Sequence, residues 1–246
     1  MKPLPCNYTP EEMQHFAEMQ VAILSPVMFD YPRFWSCVVN MVGFSWHHGL
    51  RVEEIAITER TVVDWARGDL VREALKRESI YTGKPYTHFL WLDADHLFKA
   101  DLCCQLARHD VDMVSAVYYK RLKDPTPVIY VRNEKDPEGL SHFPLLEIPQ
   151  RLCKVDAFGF GACLTRREAF EKVPEPWFTL DYRAGEDISF CSRARKHGVE
   201  AYVDGAYTVA HIGESRIITR DDYDKWYQEN QDAIIQDRVE IQLGGK

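Results

Sequence analysis

Along the first half of the chain, apolar residues alternate between two patterns. Val21-Ala22-Ile23-Leu24 is an unbroken apolar run ended by Ser25-Pro26, as in a strand buried on both faces. From Pro32 to Val42 the apolar positions fall at helical spacing, with Phe34, Val38 and Val42 on one stripe and Gly43 as the expected stop. Arg51 to Thr58 reads as a second strand. Val62 to Glu78 reads as an amphipathic helix with Val63, Ala66, Leu70, Ala74 and Leu75 on its inner face. A third apolar run, Phe89-Leu90-Trp91-Leu92, is followed by a helix from about Ala100 to Arg108 and a strand from Met113 to Tyr118. With a short leading helix over Glu11 to Glu18, this order predicts right-handed βαβ units: an α/β fold with a mostly parallel central sheet flanked by helices.

The second half is less regular. Lys123 to Pro149 is rich in Pro, Asp and Gly around a strand-like Val128 to Val131, and reads as a surface excursion. Cys153 to Asp156 leads into Ala157 to Leu164, where Gly159 and Gly161 suit close approach by a ligand or a neighbouring strand. Gly185-Glu186-Asp187 precedes a helix from Ile188 to Lys196. Short strands are expected at Val199 to Val203 and Tyr207 to Ala210, and a last helix from Asp221 to Asn230. There is no internal repeat and no Gly/Ser linker, so one domain over 1–246 is expected: a first half at about 20–120, a second at about 121–220, then a helix and tail over 221–246.

The chemistry begins at Asp93-Ala94-Asp95, where the third apolar strand ends. Residues i and i+2 of an extended chain point the same way, so both carboxylates can aim at one point if strand geometry persists. Such a pair suits a divalent cation of the Mg/Mn type, above all one that carries substrate phosphates. The plainer alternative makes Asp93 a turn residue and Asp95 the N-cap of the next helix. In parallel sheets ligands bind at the carboxyl ends of strands, where Ser25-Pro26 and the two acids fall. A G-x-G without a helix-opening third glycine is a poor match to a dinucleotide fingerprint.

Composition narrows the field. Of 246 residues, 46% are hydrophobic and 28% charged, which fits a globular chain with a sizeable core. The net charge of −8 argues against an overall grip on nucleic acid, although a local basic patch can still exist. Seven cysteines without a C-x-x-C pair suggest neither a disulfide framework nor a zinc knuckle, but reduced thiols. With no basic-then-apolar leader and no apolar stretch near the roughly 18 residues of a membrane span, a soluble cytoplasmic protein is expected.

In order, the apolar strand with D-A-D, the G-F-G-A-C-L strand, G-E-D opening a helix and V-A-H-I-G resemble a GT-A fold glycosyltransferase of the broad family-2-like kind, over roughly Val21 to Gly213. The resemblance implies Mn2+ or Mg2+ as cofactor and a nucleoside-diphosphate sugar, of the UDP-sugar type, as donor. Asp95 and His211 are then the metal ligands, with Asp93 facing the donor ribose or the metal. Pro26, Arg67, Asp93, Asp95, Gly159 and Gly161 bind the nucleotide sugar, Arg67 lying in a segment similar to the family's A-R-N with Gly68 in place of Asn. Asp187, or next Glu186, is the general base of an inverting transfer to a hydroxyl acceptor. A retaining course would leave this pair to position sugar or acceptor. Arg216 or Arg220, in a loop over Glu214 to Arg220, is a further diphosphate contact.

Each residue also has a structural reading: first-turn acids favoured by the helix dipole for Glu186 and Asp187, a solvated helix face for Arg67, a buried structural histidine for His211. Small chains of this shape also resemble viral enzymes that glycosylate hydroxymethylated bases in DNA. Tyr118-Tyr119-Lys120-Arg121 with Lys123, and Arg193, Arg195 and Lys196, are the residues for such a DNA face. Two other classes remain: a nucleotidyltransferase, disfavoured by the lack of a Gly- and Lys-rich loop after the first strand, and a non-catalytic nucleotide-sugar-binding protein.

Overall fold

The computed structural model describes residues 8–29, 31–59, 62–136, 141–181, 184–213 and 216–243, with backbone only along 54–59 and 236–243. The first half follows the predicted alternation: α1 (Pro10–Glu18), β1 (Gln20–Val27), α2 (Pro32–His47), β2 (Arg51–Glu59), α3 (Val63–Lys76), β3 (His88–Leu92), β4 (His96–Leu97), α4 (Leu102–Ala107) and β5 (Met113–Val117). The second half adds β6 (Ile129–Arg132), β7 (His142–Pro144), β8 (Leu152–Val155), β9 (Ala157–Phe158), β10 (Ala162–Arg166), α5 (Arg167–Lys172), α6 (Glu186–Lys196), β11 (Ala201–Thr208), β12 (Ala210–Ile212), β13 (Ile217–Ile218) and α7 (Arg220–Leu243).

The central sheet has the order β2-β1-β3-β10-β5-β11-β8. Strands β2, β1, β3, β5 and β11 run one way and β10 and β8 run against them, so the sheet is mixed with a mostly parallel direction. Strand β3 shows why. All five of its residues are buried, Phe89 and Trp91 in one core layer and Leu90 and Leu92 in the other, as a strand covered on both faces requires. The layer under Trp91 is aromatic, with Phe160, Phe170, Phe178 and Phe190 in mutual contact. Truncating one such ring to Ala costs about 3–5 kcal/mol.

Three expectations are corrected. Gly43 does not stop α2, which runs on to His47: an exposed mid-helix glycine costs only about 1 kcal/mol, and Ser45 is buried in the following turn. The expected strands at Val199 to Val203 and Tyr207 to Ala210 are mostly one strand, β11, with a register shift between Asp204 and Thr208. Helix α7 extends well past Asn230, since no Pro or Gly interrupts it before Gly244, and the Asp222 carboxylate accepts from the Thr219 N–H at its start.

Candidate active site

Where β1 and β3 leave the sheet, beside the first turns of α3, a cleft of about 1660 Å3 opens. Pro26, Arg67, Asp93, Asp95, Arg121 and Arg216 are on its wall. The opening lies at the carboxyl ends of parallel strands, where an α/β sheet offers unpaired backbone and loop side chains to a ligand. Strand geometry does not persist beyond Leu92. The His96 N–H donates to the Asp93 carbonyl (3.1 Å), so the chain turns between the two acids and sends their carboxylates to different partners. The helix after them is capped at Asp101, which removes the N-cap reading of Asp95.

Asp93 joins a charge cluster around Arg67. This arginine, on α3, is 3% exposed and does not snorkel. Its Nη2 donates to Asp93 Oδ1 (3.0 Å), its Nε to Glu186 Oε1 (3.0 Å) and its Nη1 to the Phe160 carbonyl (3.3 Å). The guanidinium also lies 5.8 Å from the Trp91 ring centroid. Burial works against its charge, but Asp93, Glu186 and Asp187 outweigh it and hold its pKa above the usual arginine value. Among the described residues, Asp187, in the first turn of α6, bonds no arginine. Burial first, and then the neighbouring Glu186 charge, push its carboxyl up to about 7, against the opposing pull of Arg67. Its Oδ1 accepts from the Ile188 N–H (2.7 Å), a local first-turn bond.

Asp95 joins the second cluster. Strands β4 and β12 pair antiparallel with His96 directly opposite His211, so the two rings stack with centroids 4.4 Å and planes 17° apart. His211 Nε2 lies 3.5 Å from Asp95 Oδ2, His96 Nδ1 3.2 Å from Asp95 Oδ1, and Arg121 Nη1 2.8 Å from Asp95 Oδ2. Burial works against an ionised Asp95, but His211 and His96, when protonated on the nitrogens that face it, outweigh burial and hold its carboxyl well below the usual range.

His211 Nδ1 lies 2.8 Å from the Tyr119 carbonyl, which can only accept; the proton is therefore on Nδ1, and in the neutral ring Nε2 presents a lone pair to the carboxylate. Asp95 Oδ1 and both His96 nitrogens are buried without a hydrogen-bond partner. Donor atoms of Asp95, His96 and His211 all lie within 4.8 Å of one another, so these residues fit a metal ion.

The two glycines make room for protein groups. A Cβ at Gly161 would fall 2.6 Å from His96 Cε1 and 3.1 Å from Asp93 Oδ2, and one at Gly159 would overlap the Tyr118 hydroxyl. That hydroxyl accepts from the Gly161 N–H (3.2 Å).

The residues singled out from sequence therefore fall into the two clusters, with Pro26 on the facing wall. His96 enters as a site neighbour that motif reading left aside, although it directly follows the D-A-D, and Tyr118 and Arg121, read from sequence as part of a DNA face, stand beside the site. Arg216, on the cleft wall, pairs with Asp222, and Arg220 pairs with Asp224. Glu214 lies outside the described residues. Tyr118 and Tyr119 are buried and offer no surface for base stacking, while Arg195 pairs with Asp156 at 2.7 Å. No described helix is long and apolar enough to cross a membrane.

No protein-family model matches the chain, and no curated protein matches it by sequence. Among solved structures it is similar to A197 from STIV, at 22% identity and a TM-score of 0.55, over 83% of this chain and 92% of that one. It is also similar to GalNAc-T7, solved with UDP, GalNAc and Mn2+, at 12% identity and a TM-score of 0.49, over 79% of this chain and 43% of that one. Likeness at such identity concerns the fold alone: a mixed α/β sheet, mostly parallel and flanked by helices, as the sequence pattern predicts.

Proposed function

We propose that the protein is a metal-dependent glycosyltransferase that moves a sugar from a nucleoside-diphosphate sugar to a hydroxyl acceptor with inversion. One observation supports this reading: a carboxylate and two imidazoles converge where strands of the α/β sheet end, beside a cleft that also presents Arg121, Lys123 and Arg216. Asp95 and His211 would hold the ion. A divalent metal supplies positive charge to the departing diphosphate, the chemically hard part of glycosyl transfer.

The other roles belong to the chain's own groups. Arg121, Lys123 and Arg216 bring cationic side chains to the cleft where the diphosphate would lie. Arg121 is then shared between Asp95 and the phosphate. Asp187 takes the acceptor proton as the acceptor oxygen bonds to the anomeric carbon and the bond from that carbon to the diphosphate oxygen breaks. A carboxyl pushed up to about 7 suits this task at neutral pH. Glu186 is held by Arg67 and acts as a positioning residue, keeping the first turn of α6 registered against Asp93.

The test is a panel of nucleotide sugars, each with Mn2+ or with EDTA, read as released nucleoside diphosphate. Release from one donor that needs the ion and is lost in Asp95→Ala supports the proposal. Release that is indifferent to EDTA and to the substitution overturns the metal dependence. Turnover of nucleoside triphosphates in place of nucleotide sugars would make the protein a nucleotidyltransferase.

A further inference from the structure

We propose that His96 is a third protein ligand of the metal centre, and that the resulting set of one carboxylate and two imidazoles selects an ion of the Mn2+ to Zn2+ series over Mg2+. This rests on the metal-centre reading above and goes beyond the aspartate-and-histidine pair that the motifs assign.

The imidazole of His96 is fully buried, and among the described residues neither ring nitrogen has a hydrogen-bond partner, Nδ1 meeting Asp95 Oδ1 only as an ion-pair contact at 3.2 Å. Buried polar groups in folded chains are almost always partnered, so a buried imidazole without a partner points to a ligand. The ring is also fixed in place. His211 covers one face, the Tyr118 ring packs edge-on at 4.5 Å, and the missing side chain of Gly161 provides the space that Cε1 and Nε2 occupy. Cross-strand pairing of His96 with His211 brings the second imidazole to the same carboxylate from the neighbouring strand.

The spacings agree with shared coordination. Two ligands held at about 2.1 Å from one ion, at the angles of octahedral or tetrahedral sites, stand roughly 3.0–3.4 Å apart. His96 Nδ1 to Asp95 Oδ1, at 3.2 Å, falls in that range, and His211 Nε2 to Asp95 Oδ2, at 3.5 Å, lies just beyond it. The ion's identity follows from donor chemistry. Mg2+ favours oxygen ligands and retained waters, whereas imidazole favours first-row transition ions, with Zn2+ bound more tightly than Mn2+.

The experiment uses the full chain with Mn2+ alone, without nucleotide, and counts protein nitrogens on the ion by pulsed electron paramagnetic resonance. Wild type is expected to show two imidazole couplings. His96→Phe, which keeps a flat ring in the stack, is expected to show one, with Mn2+ affinity lowered about ten-fold or more. Mg2+ at roughly 100-fold excess should leave the Mn2+ signal in place, and Zn2+ should displace it.

A single coupling in wild type, or an unchanged affinity in folded His96→Phe, would overturn the role of His96. Displacement of Mn2+ by equimolar Mg2+ would overturn the selectivity. If the variant does not fold, the nitrogen count of wild type decides alone. Failure of the whole centre is distinguishable, because wild type would then show no protein nitrogen on Mn2+ at all.

Discussion

Two clusters of ionisable groups reach the cleft wall, one through Arg67 and Asp93 and the other through Asp95 and Arg121, and they differ in how far their partners are already present. Around Arg67, one guanidinium is ringed by Asp93, Glu186 and Asp187, and its donors are occupied by the first two of these and by a backbone carbonyl. Around Asp95, a carboxylate is faced by Arg121 at 2.8 Å and by two imidazoles at 3.2 and 3.5 Å, and among the described residues Asp95 Oδ1 and both His96 nitrogens are buried without a hydrogen-bond partner. The first arrangement holds structure and leaves over one carboxylate, Asp187. The second is incomplete without a ligand. A shared location on the sheet therefore does not imply a shared role: completed valences mark the scaffold, and unmatched ones mark the place where something binds.

The sharpest way to break this contrast is to remove the group left over. Asp187→Asn should lower the transfer rate by about 100-fold to 10,000-fold while leaving Mn2+ binding and the fold intact. A variant with near-normal turnover would move the base elsewhere.

Removing the centre of the occupied cluster should act on stability. Arg67→Met leaves Asp93 and Glu186 facing each other without a cation, and should destabilise the fold by roughly 3–5 kcal/mol in denaturant unfolding. A variant as stable as wild type would show that the cluster is dispensable for folding.

Acidity sharpens the same point. Asp187 must be ionised to act as a base, so kcat/KM should rise as pH passes through about 7, and this rise should vanish in Asp187→Asn. The linkage has the opposite direction for stability. The folded-state pKa lies above the ordinary 3.8, so the folded form binds the proton more tightly. The Asp187 contribution is therefore full below about pH 4 and declines as pH rises to about 7. A stability profile of Asp187→Asn lacking that decline would confirm the assignment.

The smallest expected effect is at Tyr118. Tyr118→Phe removes the hydroxyl that accepts from the Gly161 N–H and should cost about 1 kcal/mol, with donor affinity little changed.

Much of this was legible in the chain. The D-A-D run follows Phe89 to Leu92, which are apolar on both faces of β3, at the point where the chain leaves the sheet. Gly185-Glu186-Asp187 opens a helix as the dipole argument anticipates. The pairings were not legible. Arg67 bonds Asp93 across 26 positions and Glu186 across 119, distances over which periodicity carries no information. His96 looked like the residue after a motif; only the β4–β12 register sets it opposite His211. Gly159 and Gly161 signalled close approach correctly, but which groups approach, Tyr118 and His96, follows from the fold.

The central claim is that the cluster around Asp95 is completed by a metal ion and a nucleoside diphosphate together. Calorimetry of UDP binding, with Mn2+ and with EDTA, on wild type and Asp95→Ala, tests it most directly. Wild type should bind UDP with Mn2+, with a loss of about ten-fold or more in affinity either with EDTA or in the variant. Equal UDP affinity in all four conditions, or no binding of UDP or any other nucleoside diphosphate by folded wild type with Mn2+, would contradict it.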